Sequence, residues 1–155
     1  MVVAVRNGKL RICLDPRDLS KGIEHEHYPK KTVEEVVSNK PKANLFSVLD
    51  AKSAFLQILL DEESSKQMTF NTPIGRFRWL RLPFGLKCAP EIFQRIMDQM
   101  LDGIVGATAI MDDILIAGRD RDHHDSILKQ VVERATSYNL KLNMQKCKVR
   151  QKEVR

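Results

Sequence analysis

Short apolar runs alternate with charged stretches along the whole chain. Val2-Val3-Ala4-Val5 leads to Asn7-Gly8, a type I′ turn signal, and then to KLRICL, so residues 2–14 are predicted to form a β-hairpin. Residues 15–31 are charged and irregular and include Pro16 and Pro29. Thr32 and Glu35 have capping-box spacing, and Val33, Val36 and Val37 form an apolar stripe. A short helix should therefore start at Thr32 and end at Lys40-Pro41.

LFSVLD (45–50) reads as a buried strand ending at an aspartate, and FLQILL (55–60) as its continuation past a small-residue bend. MTF (68–70) and RFRWL (76–80) flank residues 71–75 as a hairpin whose arginines would form one face and whose aromatics would pack on the other. Residues 90–102 carry the clearest helical pattern, with Pro90 in the first turn, Ile92, Phe93, Ile96 and Met97 at helical spacing, and Gly103 as the stop. ATAI (107–110) and ILIA (114–117) read as two strands around Met111-Asp112-Asp113. A helix is expected over 122–138 with Ile127, Leu128, Val131 and Ala135 inward, then a final strand, KLNM (141–144), and a basic tail. The whole reads as one α+β unit, an antiparallel sheet packed on helices.

Composition narrows the class. The 155 residues suit one domain, and 43% apolar with 30% charged residues suits a folded soluble protein. No apolar run reaches the ~18 residues of a membrane span, and the first residues become charged too soon for a secretory signal, so an intracellular, unsecreted protein is expected. The net charge of +6 suits a phosphate-rich partner. Cys13, Cys88 and Cys147 are far apart and form no CxxC pair, which argues against a disulfide framework or a zinc ribbon.

Asp112-Asp113 is the most informative pair. Two adjacent carboxylates sit at the tip of an apolar hairpin, with no Lys or Arg between positions 107 and 118. Aspartate is also a favoured turn residue, so the pair alone fits a solvated turn. Asp50 changes the balance, because it too ends an apolar strand. Two such strand ends side by side could hold two magnesium ions ~3.5–4 Å apart. Magnesium takes oxygen ligands and leaves positions for phosphate oxygens.

Four ordered blocks then become specific: KLRICLDPRDLS (9–20), FSVLDAKSAFLQILLDEESS (46–65), TFNTPIGRFRWLRLPFGLKCAPEIFQRIMD (69–98) and MDDILIAG (111–118). Together they resemble the reverse transcriptase of gypsy-type LTR retrotransposons, and more distantly that of retroviruses. The resemblance implies a right-hand polymerase palm with partial fingers, an RNA-directed DNA polymerase acting on deoxynucleoside triphosphates and a primed RNA or DNA template with Mg2+ (or Mn2+). It implies Asp50, Asp112 and Asp113 as the catalytic metal-binding aspartates, with Ala51 beside them at the metal site. Arg11, Ser53, Ala54, Phe55 and Phe84 would contact the nucleotide, Phe55 as the gate that excludes a 2′-hydroxyl. Arg76, Arg78, Lys87 and Pro90 would contact nucleic acid. Lys146 would protonate pyrophosphate, with Lys141 and Lys148 nearby. The pattern departs at Ile110, where the family has Tyr or His supporting the primer end, and in a shortened first strand. Residues 1–155 are thus expected to be a single reverse transcriptase fragment lacking thumb, connection and RNase H, taken from a polyprotein with RNase H, integrase and protease domains, and weak or inactive alone.

Other features read as ordinary. Glu24-His25-Glu26-His27 lacks a second ligand pair for zinc and reads as a connector. His123-His124 reads as surface, and Trp79 as core. Two rivals stay open: an inactive retrotransposon-derived nucleic-acid binder working through Arg76, Arg78, Arg81 and Lys87, and another palm-type nucleotidyltransferase such as a cyclase.

Overall fold

The computed structural model describes residues 2–6, 8–15, 17, 19–23, 28, 29, 32, 35, 36 and 43–153. The chain divides into two compact units, residues 1–27 with 55–92, and residues 28–54 with 93–155.

In the first unit, β1 (Val2–Arg6) pairs antiparallel with β2 (Lys9–Cys13), and Arg6 opposite Lys9 leaves the expected two-residue loop. FLQILL is not a strand. Ala54–Gln57 is a 3-10 turn, and Leu59 makes only an isolated bridge to Arg81. The cause is local: Ser53 and Ala54 take φ of 59° and 32°, so the chain cannot run on extended. Helix α1 (Glu62–Gln67) is capped by Asp61, whose carboxylate accepts from the Ser64 N–H at 2.7 Å. The hairpin β4 (Thr69–Thr72) and β5 (Gly75–Arg78) follows. Its second arm has no buried face, since every residue of β5 is exposed, although the Phe77 ring stacks on Phe70. Leu14, Met68, Leu82, Leu86 and Ala89 form the core, with Phe55 and Trp79 packed against it. Gly85 (φ +106°) lets the chain pass close to Leu14, because a Cβ there would collide with the Leu14 carbonyl.

The second unit is built on an antiparallel sheet in the order β6-β7-β3-β8. Its strands are β3 (Leu45–Asp50), β6 (Ala107–Ile110), β7 (Asp113–Gly118) and β8 (Lys148–Gln151). Ile114, Leu115, Ile116 and Ala117 are all buried, so β7 is covered on both faces. Helices α2 (Ala89–Leu101) and α3 (Arg121–Ser137) match the helical periodicity, with Phe93, Met97, Met100, Ile127 and Val131 buried. Thr32 and Glu35 form the capping box: the Thr32 N–H donates to the Glu35 carboxylate and the Glu35 N–H to the Thr32 hydroxyl. The end of that helix at Lys40-Pro41 and the Glu24-His25-Glu26-His27 run lie outside the described residues. Among the described residues, no helix is long and apolar enough to cross a membrane.

Two expectations fail here. KLNM is not a strand; only Leu142 makes a bridge, to Ala51, and the last strand is β8 in the basic tail. His124 is not on the surface but fully buried. Its Nε2 lies 2.8 Å from the Ser47 hydroxyl and its Nδ1 3.1 Å from Asp125. The Arg150 guanidinium grips Asp125 at 3.0 and 2.7 Å, and the Arg150 N–H donates to the Ser47 oxygen at 3.0 Å. This network pins β8 to β3 and α3.

Asp125 has its carboxyl pulled down to about 2, first by the Arg150 hydrogen bonds and then by His124. A depressed pKa stabilises fully above the unfolded value of about 3.9 and is lost as pH falls through the folded one. The β8 attachment should therefore hold at pH 5 and weaken as pH falls from about 4 through about 2. Asp125→Asn should remove this dependence, read from hydrogen exchange of the β8 amides; an unchanged profile would contradict it.

Candidate active site

The acidic residues meet through strand pairing. Asp50 is the last residue of β3 and stands opposite Asp113, the first of β7, which also pairs with Ile110 of β6. Directly opposed residues point to one face of a sheet with Cβ atoms about 4.5–5.5 Å apart. Asp112 occupies the hairpin loop with Met111, and its carbonyl accepts from the Ala51 N–H at 2.8 Å. Ala51 is buried, and its own carbonyl accepts from the Ala54 N–H at 3.2 Å. Met111 sits at φ 56°, a left-handed conformation that costs a non-glycine residue roughly 1–2 kcal/mol. Such strain persists only where surrounding bonds impose it.

Gln94 supplies those bonds, and its only mark in the sequence is that of a polar residue on an apolar helix face. Its side chain is buried in α2; Oε1 accepts from the Met111 N–H at 2.8 Å, and Nε2 donates to the Ala109 carbonyl at 2.9 Å.

The electrostatics are those of crowded like charges. Burial first, then the charges of Asp112 and Asp50, push the Asp113 carboxyl up, while Lys146 opposes the shift. Lys146 Nζ lies 3.3 Å from Asp50 Oδ2, which pairs this candidate lysine with a site carboxylate. The Asn143 N–H donates to the Asp50 carbonyl at 2.8 Å and holds this segment alongside β3. Among the described residues, no three His, Cys, Asp or Glu side chains converge closely enough to hold one ion as they stand. The donor chemistry nevertheless fits a hard divalent cation: three carboxylates, one pushed upward by burial and then by the charges of its neighbours.

The remaining expected residues divide between the units. Ser53 and Ala54 belong to the second, at the positive-φ bend. In the first, Phe55 packs on Phe84 with ring centroids 5.3 Å apart. The strand of Arg11 ends beside Phe84, where Cys13 bridges it and the Leu14 N–H donates to its carbonyl at 2.8 Å. Arg76 and Arg78 are exposed two apart on β5, Lys87 is exposed, and Pro90 is in the first turn of α2.

A family model described as reverse transcriptase (RNA-dependent DNA polymerase) matches residues 6–155. The chain belongs to this family. It is 39% identical over 149 residues to the uncharacterized protein K02A2.6 of Caenorhabditis elegans, covering 95% of this chain and 12% of that one. It is 38% identical to the retrovirus-related Pol polyprotein from transposon 412 of Drosophila melanogaster, covering 90% of this chain and 11% of that one. The chain therefore spans about an eighth or less of these relatives. Among solved structures, the foamy viral protease-reverse transcriptase in complex with double-stranded DNA is similar at a TM-score of 0.88 and 22% identity, covering 98% of this chain and 27% of that one. The same enzyme in complex with an RNA/DNA hybrid gives 0.83 and 20%, covering 95% of this chain and 20% of that one. The α+β palm-type fold follows from this likeness.

Substituting Asp112→Asn should lower the titration midpoint of Asp113, because one of the charges that raises it is removed. Carboxyl-carbon NMR reads this directly; a midpoint that stays or rises would mean burial alone sets it.

Proposed function

We propose that the chain is the catalytic palm with part of the fingers of an RNA-directed DNA polymerase, working by two-metal nucleotidyl transfer. The reading rests on one observation above all: Asp50 and Asp113 are direct partners across β3 and β7, with Asp112 beside them. Asp50, Asp112 and Asp113, at the Ala51 turn, would hold two magnesium ions, with manganese as a substitute. When bound, the ions neutralise phosphate charge and favour ionisation of a primer 3′-hydroxyl.

The protein's own residues do the rest. The strand register places Asp113 opposite Asp50, and the hairpin loop places Asp112 next to Asp113. Lys146, beside Asp50, is the proton donor to departing pyrophosphate. Arg11 grips the triphosphate, Phe55 and Phe84 form the wall against the sugar, Ser53 and Ala54 contact the nucleotide, and Arg76, Arg78, Lys87 and Pro90 meet template or primer. Deoxynucleoside triphosphates and a primed RNA or DNA template are the substrates. The 38% identity to a transposon Pol polyprotein supports a retrotransposon setting. The gypsy type, RNase H, integrase and protease as companion domains, and a place inside a cytoplasmic particle or nucleus complete the proposal.

Primer extension by the chain within its complete polyprotein tests this. Asp112→Asn should lower the rate at least ~100-fold, about 3 kcal/mol of lost charge stabilisation. Activity that survives would remove the mechanism, and salt-sensitive binding without extension in the unaltered protein would favour the non-catalytic rival. Phe55→Val should raise ribonucleotide incorporation, because the exclusion is steric; an unchanged sugar preference would show that Phe55 is only a packing partner of Phe84.

A further inference from the structure

The hydrogen bonds that hold the aspartate hairpin do not end at Gln94. Its Nε2 also reaches Asp98 Oδ1, one turn further along α2, at 3.2 Å. The other oxygen, Asp98 Oδ2, accepts from the Tyr28 hydroxyl at 2.8 Å, across 70 residues of sequence. Tyr28, Asp98 and Gln94 all belong to the second unit with the hairpin.

The carboxylate of Asp98 acts with the Ala109 carbonyl and the Met111 N–H to set which way the Gln94 amide faces. A carboxamide has a donor end and an acceptor end. With NH2 toward Asp98 and the Ala109 carbonyl, its oxygen meets the Met111 N–H, and every group is satisfied. The flipped amide would set its oxygen against two acceptors and its NH2 against a donor. Tyr28 in turn fixes Asp98. The hydrogen bond to Asp98, then burial, pushes the Tyr28 phenol up, so it stays protonated as a donor near neutral pH.

We infer that Tyr28 and Asp98 are positioning residues: they lock Gln94 in the one orientation that holds the Met111 amide, and so keep Asp112 and Asp113 in register with Asp50. The kinetic consequence rests on the polymerase reading; the mechanical one does not. A residue far from the aspartates in sequence thereby governs how firmly they are held.

Tyr28→Phe removes one hydroxyl and little volume, and Asp98→Ala removes the orienting charge. Amide hydrogen exchange on the full chain should show the Met111 amide exchanging about tenfold faster in Tyr28→Phe and faster still in Asp98→Ala, with the Ile114 and Ile116 amides unchanged. In primer extension by the complete polyprotein, both variants should lower kcat and raise the magnesium concentration needed for half-maximal rate, with KM for the nucleotide unchanged. An unchanged Met111 amide in both variants would overturn the relay. Equal acceleration throughout the second unit would overturn it too, because Tyr28 and Asp98 would then be general supports. If the unaltered polyprotein extends no primer, the polymerase reading falls, and the exchange result still decides the relay.

Discussion

The juxtaposition of Asp50 and Asp113 across β3 and β7 is the constraint on which the second unit turns. Like charges placed directly opposite one another destabilise a sheet. Here they are tolerated because the register is set elsewhere, by the buried run from Ile114 to Ala117 against Phe46, Ser47 and Leu49. A slip of one residue would exchange the two buried faces of β7, break their packing and carry Asp113 to the other face. The sheet interior thus supplies the stability, and the acidic end spends part of it. Lys146 offsets some of the repulsion, and a cation would offset more. A site held in this way is stiff in its backbone and poorly neutralised at its carboxylates.

The tip of the hairpin has the same character. A two-residue loop brings Asp112 next to the Ala51 amide, but it forces Met111 into a left-handed conformation. Gln94 holds the strained residue from below, through the two ends of one amide. The Gly118 position adds a second restraint: a Cβ there would run into the backbone and Cβ of His124, so glycine lets α3 close tightly over the far end of β7. The strand bearing Asp113 is fixed at both ends by contacts that the aspartates themselves do not make.

Strong local signals were legible in the sequence. Asn7-Gly8 gave a hairpin of the right register, Thr32 with Glu35 gave a capping box, and Pro90 and Gly103 bracket α2. The three aspartates were legible because Asp50 ends an apolar strand and Asp112-Asp113 sit at the tip of an apolar hairpin, and the order of the blocks made the family recognisable. What escaped depends on distant partners. FLQILL has strand-like composition, yet the positive φ at Ser53 and Ala54 turns it. β8 is an exposed edge strand without apolar alternation, so no periodicity marks it. His124 looked like surface because its partner Ser47 is 77 residues away. Gln94 and Asp98 carry no motif that separates them from ordinary helix polars.

The central claim is that Asp50, Asp112 and Asp113 share divalent cations, and paramagnetic broadening by Mn2+ tests it most directly. Titrated into the labelled chain, the ion should broaden the amides of Asp50, Ala51, Asp112 and Asp113 first, and Asp50→Asn should abolish that pattern. Broadening that spares these four amides, or persists unchanged without the Asp50 charge, would contradict the account.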